Sequence, residues 1–261
     1  MKPIGRIAVP SPAPLRGEAW TARTVGWYER ANARSDYAER VLGAAADLVK
    51  DCRSALDVGA GFGALALPLA HRLERVTALE PSPPMADALA QAVRRDGLAN
   101  VTVVRARWDA GAVEPHDLVV CAHVGPLLGR GATFLAEVGR VARRGVLVVR
   151  DAPGGDDKFF YPELYPRLLG RPWQSSARAE ETRGALRDLG IEVTATTIEY
   201  RSDQPFETLD EACEFWMTWM GLEDAGARTF LHEFLARRLV RDGRGWLAPY
   251  RKRATVMFWS V

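Results

Sequence analysis

Asp57, Gly59, Gly61 and Gly63 fall close together in SALDVGAGFGALALPLA, residues 54–70. An apolar run enters this stretch, glycines interrupt it and a second apolar run leaves it, the pattern of a strand that feeds a helix through a tight turn. Glycine at 59 and 61 permits backbone angles closed to other residues and lets a ligand lie against the main chain, while Gly63 lets helix and strand pack closely. The first N–H groups of the following helix lack intrahelical partners and face whatever occupies the turn. Further on, ALEPSPP at 78–84 places Glu80 at the end of a second apolar run. A carboxylate there can accept both hydroxyls of a ribose. Turn and acid together are the chemistry of a nucleotide site.

Elements able to position these groups follow along the chain. Residues 18–48 show apolar side chains such as Val41, Leu42, Ala45 and Leu48 at three- and four-residue steps, which predicts an N-terminal helical layer. Strands are expected at 55–58, 75–79, 101–104, 117–121 and 146–149, with helices from about Gly63 and over 84–95. Five strands alternating with helices imply a parallel, doubly wound α/β sheet. Residues 151–176 are rich in Gly, Pro and aromatics and lack either period, so they read as a functional loop or lid. A helix over 177–189 and a strand over 191–200, with Ile191, Val193 and Ala195 on one face, continue the pattern. Thr208 and Glu211 form a capping-box pattern opening a helix with Leu209, Ala212, Trp216 and Met220 near one face. A second helix carries Phe230, Leu231, Phe234 and Leu235, and ATVMFWSV at 254–261 reads as a final buried strand after the solvated Arg251–Lys252–Arg253 triplet.

Composition bounds the class. With 261 residues, 48% hydrophobic and 26% charged, the chain is one generous domain, or one domain with a cap, and outside the disordered range. Lys and Arg total 35 against 33 acids, a net charge of +2, which argues against a dedicated nucleic-acid surface. No apolar run approaches the roughly 18 residues of a membrane span. Prolines near the N-terminus, where a signal peptide would be apolar, suggest a flexible leading segment and a cytoplasmic protein. Cys52, Cys121 and Cys213 lack CxxC spacing, which disfavours disulfides and structural zinc. No metal site is expected.

Two nucleotide classes remain open on these residues. Gly59 to Ala64 satisfies a loose G-x-G-x-x-A dinucleotide fingerprint, which keeps a nicotinamide (NAD-dependent) oxidoreductase in view. Against it stand the G-x-G-x-G turn preceded by Asp57, a first strand that follows a long helical stretch, and a terminal strand consistent with an antiparallel hairpin. DVGAGFG, then LEPSPPM and HDLVVCAHVGPLL, resembles the class I S-adenosylmethionine-dependent methyltransferase superfamily, most clearly over residues 37–150. The resemblance implies a seven-stranded Rossmann-like sheet of order 3-2-1-4-5-7-6 with the last strand antiparallel and a helical cap. It implies S-adenosylmethionine as cofactor, S-adenosylhomocysteine as co-product and methyl transfer to a small-molecule acceptor. A non-catalytic sensor or partner subunit that binds the cofactor is the alternative.

By that resemblance Asp57, Gly59, Ala60 and Gly61 hold the methionine part, Glu80 the ribose, and Met85 lines the adenine side, with Tyr37 also on the cofactor. Arg107 occupies the slot where an acid often meets the adenine, so Trp108 is assigned to stacking and Asp109 to the polar contact. A methyl sulfonium is already activated, so positioning dominates and a base is optional. His123, just past the fourth strand, is the best-placed base candidate; His71, His116 and His232 receive no role. The acceptor pocket or lid is expected from Trp27, Tyr28, Phe160, Tyr161 and Tyr165. The Asn/Asp-Pro-Pro-aromatic motif of base-methylating enzymes is replaced by CAHVGPLL, so no nucleic-acid partner is expected. The expected organisation is residues 1–36 as leading segment and cap helices and 37–261 as the cofactor domain, with a lid at 151–176 and a helical insertion at 208–240.

Overall fold

The structure, a computed structural model, describes residues 20–154, 158–174 and 178–261. The leading segment up to residue 19 lies outside the described residues. The N-terminal layer is three helices, Ala22–Asn32 (α1), Tyr37–Ala44 (α2) and Ala46–Val49 (α3). Thr21 caps α1 by accepting the Thr24 N–H. The chain breaks before α2 because Asp36 accepts the Arg201 N–H at 2.7 Å, docking this corner on a distant strand.

Five strands follow with their helices: Ser54–Val58 (β1), Ala66–Ala70 (α4), Arg75–Leu79 (β2), Pro83–Arg95 (α5), Val101–Val104 (β3), His116–Ala122 (β4), Gly125–Leu128 (α6), Ala132–Val141 (α7) and Ala142–Asp151 (β5). The remainder is Tyr161–Leu169 (α8), Ala179–Asp188 (α9), Thr194–Arg201 (β6), Gln204–Phe206 (β7), Leu209–Met220 (α10), Ala225–Arg238 (α11), Val240–Asp242 (β8), Gly245–Ala248 (β9) and Arg251–Ser260 (β10). The main sheet has the order β3-β2-β1-β4-β5-β10-β6. β10 runs antiparallel to both β5 and β6, while β1 to β5 pair in parallel. Counted within the sheet this is the expected 3-2-1-4-5-7-6 arrangement.

All five residues of β1 are buried, as expected where helices cover both faces. Leu56 and Leu118 are fully buried, each contributing about 1.5–3 kcal/mol. The strand order reverses between β1 and β4, which opens a crevice at the carboxyl ends of these two strands.

Several expectations are corrected. The stretch over 151–176 is not all loop: it contains α8, entered through Phe159 and Phe160, both at positive φ (62° and 57°). Pro162 sits in its first turn, where no N–H is required, and this hides the helix from a reading by breakers. α9 starts two residues later than expected and β6 three residues later. Arg251, Lys252 and Arg253 lie inside β10, paired with Arg201, Tyr200 and Glu199, and do not precede it. Within 208–240 lie the helices α10 and α11, and the strands that flank them, β7, β9 and β8, form a three-stranded antiparallel sheet that the sequence reading did not anticipate. A separate hydrophobic cluster centred on Phe215, Trp216 and Leu231 fills this cap, and Trp27 of α1 belongs to it.

Candidate active site

Gly59, Gly61 and Gly63 have φ of 70°, 58° and 97°, so the turn uses the backbone freedom that glycine alone provides cheaply. A Cβ on Gly59 would stand 2.4 Å from Val124 Cγ1, and one on Gly63 would stand 2.5 Å from Leu89 Cδ1. Gly63 therefore serves packing against α5 rather than against its own strand. The Gly59 and Ala60 N–H groups both donate to the Leu79 carbonyl, at 2.8 and 3.1 Å, which pins the turn to the end of β2.

Glu80 follows that carbonyl. Its Oε2 accepts the Gly61 N–H at 2.8 Å and its Oε1 the Ser82 N–H at 2.7 Å. Burial pushes this carboxyl up, and the two N–H groups pull it back. Asp57 is 2% exposed, and its carboxyl is pushed up to about 7, first by burial and then by the neighbouring Glu80 charge; an Ala66 N–H opposes the shift. α4 starts three residues after the expected Gly63, and the N–H at its start turns to Asp57.

Tyr37, at the start of α2, packs with ring centroids 4.9 Å from Tyr200 and 5.7 Å from His123. Burial, then the charges of Tyr200, Asp57 and Asp151, oppose its ionisation, so Tyr37 spans the β1 and β5 ends of the crevice. The Tyr37 and Ser82 hydroxyls are buried and find no protein partner. A glycine cradle that a Cβ would fill, with unspent polar atoms around it, fits a polar nucleotide derivative. Met85 Sδ lies 4.0 Å from where a Gly61 Cβ would stand, so it borders the same turn.

The residues beyond β3 are more distant participants. Trp108 donates to Glu137 Oε2 at 2.8 Å and meets the Phe134 ring edge-on at 5.6 Å, which ties it to α7. Asp109 is exposed and accepts the Gly111 N–H at 2.9 Å, and Arg107 is exposed.

On the acceptor side, His123 leaves β4 with a φ of 56°. Its Nδ1 lies 3.4 Å from Asp151 Oδ1 at the end of β5, and both side chains are about one-third exposed (30% and 35%). Trp27 does not line an open pocket: it is 1% exposed and donates its indole N–H to Glu211 Oε1 at 3.0 Å inside the cap. Tyr28 is half-buried, edge-on to Trp20 and Trp219, and close enough to Tyr200 to oppose that phenol's ionisation. Phe160 stacks on Trp216 at 5.8 Å, while Tyr161 and Tyr165 pack on each other and on Trp173, so these three brace α8 on the cap. Of the expected lid aromatics, Tyr28 is the one whose charge bears on Tyr200, the ring neighbour of Tyr37.

Ser82, Asp151 and Tyr200 complete the site, and a reading by motif passes over them. Ser82 has a signal, two residues beyond Glu80 and just ahead of a proline-started helix. Asp151 had a weaker one, an acid closing an apolar strand.

The doubly wound sheet with its antiparallel seventh strand is the Rossmann-like arrangement expected from the sequence, and the acid-clamped glycine turn lies at its crevice. Residues 55–145 match the family model described as a methyltransferase domain. The chain is 33% identical over 57 residues to the protein named "Probable ribosomal RNA small subunit methyltransferase A" of Methanosphaera stadtmanae, a match covering 22% of this chain and 21% of that protein. The match thus spans about one-fifth of the length of this curated relative. Among solved structures, the YcgJ protein of Bacillus subtilis has a TM-score of 0.49 at 17% identity, covering 84% of this chain and 97% of that one. Magnesium protoporphyrin IX methyltransferase from Synechocystis, solved with bound S-adenosylmethionine, has a TM-score of 0.44 at 15% identity, covering 92% and 80%. The stretch that matches the methyltransferase-domain model, residues 55–145, carries the glycine turn, Glu80 and β1 to β4 of the main sheet.

Proposed function

We propose that the protein transfers a methyl group from S-adenosylmethionine to a small-molecule acceptor and releases S-adenosylhomocysteine. The observation that carries this reading is the Glu80 carboxylate, held by the Gly61 and Ser82 N–H groups beside the turn at the β1–β4 crevice. Glu80 would accept the ribose hydroxyls, Gly59 to Gly61 would admit the methionine portion, Asp57 would face its ammonium group and Met85 would border the adenine. Trp108 and Asp109 are the candidates for the far side of the adenine. When bound, the sulfonium supplies an activated methyl group. The chain's own residues orient the acceptor, through Tyr28 and His123, with Tyr37 on the cofactor, and exclude water from the crevice.

A small acceptor is favoured over nucleic acid by the net charge of +2 and by CAHVGPLL in place of a base-methylation motif. The likeness to a ribosomal RNA methyltransferase covers a fifth of that protein and speaks for the shared domain. No helix among the described residues is long and apolar enough to cross a membrane. Three buried free cysteines support a reducing compartment such as the cytoplasm.

Calorimetry with S-adenosylmethionine, S-adenosylhomocysteine and NAD(H) tests the cofactor, and the first two alone are expected to bind. Incubation with methyl-labelled cofactor and a metabolite extract, read by mass spectrometry, should give a labelled small molecule. Binding of S-adenosylhomocysteine without any labelled product would make the protein a sensor or partner subunit.

A further inference from the structure

We propose that Arg150, Thr182 and Thr255 form a binding site for a small oxyanion, a carboxylate or phosphate group, under the first turn of α9. The site is built from side chains that the methyl-transfer reading does not use, and it is tested without the cofactor.

Arg150 is the last residue but one of β5. Val146 and Val148 of that strand pack with Leu186 of α9 and Met257 of β10 in one hydrophobic cluster, so Arg150, two residues further on, faces the same side of the sheet. It is only 6% exposed. Among the described residues its guanidinium makes neither an ion pair nor a hydrogen bond. A buried charge is ordinarily paired, because taking it out of water is costly. The charges nearby do not supply the pair. Both oxygens of Glu181 lie on Arg178 Nη1, at 3.1 and 3.2 Å, and Asp151, the next residue of the strand, alternates to the other face beside His123. Burial is accordingly the larger influence on the guanidinium and holds it below its ordinary range; Glu181 and Asp151 act against that shift and Arg178 with it.

Polar groups without partners stand around it. α9 joins β5 to β6, which run parallel because both pair antiparallel with β10, so the helix starts at the carboxyl edge of the sheet, where Arg150 stands. Thr182 lies one turn before Leu186 on the buried face of α9. It is 3% exposed, and its hydroxyl is buried without a partner. Thr255 of β10 stands opposite Arg150 in register, which puts both side chains on one face, and it too is buried. The helix opens at Arg178 with no side-chain cap, so its first N–H groups bring a partial positive charge to the same end. Glu180 and Glu181 of that turn are exposed and paired with Arg183 and Arg178, which leaves the inner side to the cation. A guanidinium buried against the positive end of a helix is repelled unless an anion lies between them.

The donors select the ligand. A guanidinium fork, two hydroxyls and helix N–H groups match the paired oxygens of a carboxylate or phosphate. Val149, just before Arg150, pairs with Ala122, just before His123, so the site lies at the strand level of the crevice. Such an anion is carried either by the methyl acceptor or by a separate metabolite.

Calorimetric titration of the full, cofactor-free chain with inorganic phosphate and with acetate, at fixed ionic strength, reads the site. The wild type should bind at least one of the two saturably. Arg150→Met, which keeps the length and removes the charge, should weaken that binding by about tenfold or more and raise the thermal midpoint in anion-free buffer, since an apolar chain replaces an unpaired charge. Thr182→Val, which keeps the volume, should weaken binding by about threefold or more and leave the midpoint unchanged or higher. Should Arg150→Met fail to fold, Thr182→Val and Thr255→Val carry the comparison. No saturable binding of either anion to the wild type overturns the proposal, and so does binding that the variants retain unchanged. The carrier is read with methyl-labelled cofactor and the metabolite extract: saturating phosphate lowers labelling when the acceptor bears the anion and leaves it unchanged when a separate metabolite does. Failure to bind S-adenosylhomocysteine overturns the methyl-transfer reading and leaves the anion titration standing.

Discussion

The Glu80 carboxylate accepts the Gly61 N–H at 2.8 Å, joining the acid beyond β2 to the turn beyond β1. Its other oxygen holds Ser82, so the acid is oriented before any ligand arrives. Orientation in advance removes part of the ordering cost of binding. Glu80→Ala deletes the proposed ribose acceptor and leaves the Gly61 and Ser82 N–H groups without their carboxylate. Affinity for S-adenosylhomocysteine should fall by about 1–3 kcal/mol, roughly 5- to 150-fold. Calorimetry checks this, and unchanged affinity removes Glu80 from the ribose site.

Asp57 makes stability depend on pH. Its carboxyl is pushed up to about 7 in the folded chain from an ordinary 3.8, so between these values the folded state binds more protons than the unfolded one. Its contribution to stability is complete below the unfolded value and is lost as pH rises through about 7. Glu80, also raised, acts in the same direction, whereas Asp36 and Asp117 are lowered and act oppositely. Asp57→Asn isolates the effect: thermal unfolding from about pH 5 to about pH 8 should show the variant gaining on the wild type as pH rises, by about 2–4 °C for each kcal/mol. A constant difference across that range would mean that Asp57 ionises normally.

The same carboxyl reports on binding. The ammonium group of S-adenosylhomocysteine, placed beside Asp57, favours the ionised form, so binding at about pH 7 should release on the order of half a proton. Titrations in buffers of different ionisation enthalpy measure that release. Proton uptake, or none, places the ammonium elsewhere.

The main sheet is legible in sequence because its strands are buried on both faces and therefore apolar throughout, and because the turn at Gly59 to Gly63 cannot be built without glycine. The cap is less so. β7 and β8 are three residues each, Val240 and Arg241 are exposed, and no alternation develops over such lengths. α8 contains Pro162 and Pro166, and tertiary packing of Tyr161, Leu164 and Leu168 outweighs their low propensity. Of the site, the groups adjacent in sequence, Asp57 with its glycines and Glu80 with Met85, are readable as motifs. Asp151 meets His123 because β4 and β5 lie side by side, and Tyr200 meets Tyr37 because α2 packs on β6, relations carried by topology and not by spacing.

Glycine substitutions separate shape from stability. Gly59→Ala puts a methyl group 2.4 Å from Val124 Cγ1 at a φ of 70°, so it should disturb the turn and weaken S-adenosylhomocysteine binding by tenfold or more, about 1.4 kcal/mol. Gly43→Ala, inside α2 with nothing within 4 Å, should raise stability by up to about 1 kcal/mol and leave binding alone. Parallel calorimetry and thermal unfolding of the two variants decide it. Equal effects on binding would remove the turn from the site.

Glu211 ties the N-terminal helix to the cap. Its Oε1 accepts the Trp27 indole N–H at 3.0 Å and bonds Arg30, and its Oε2 accepts the Glu207 N–H at 2.7 Å. The residue therefore leaves the capping box that its position suggests; Thr208 caps α10 alone, accepting the Glu211 N–H at 3.0 Å. Glu211→Ala strands the indole N–H of a side chain that is 1% exposed, at a cost of about 1–3 kcal/mol. The loss should fall on the cap, which has its own hydrophobic cluster apart from those flanking the main sheet. Hydrogen exchange should then accelerate in α1, α10 and α11 by about 5- to 150-fold, with β1 and β4 unaffected. Acceleration spread evenly over both would show that cap and sheet unfold as one unit.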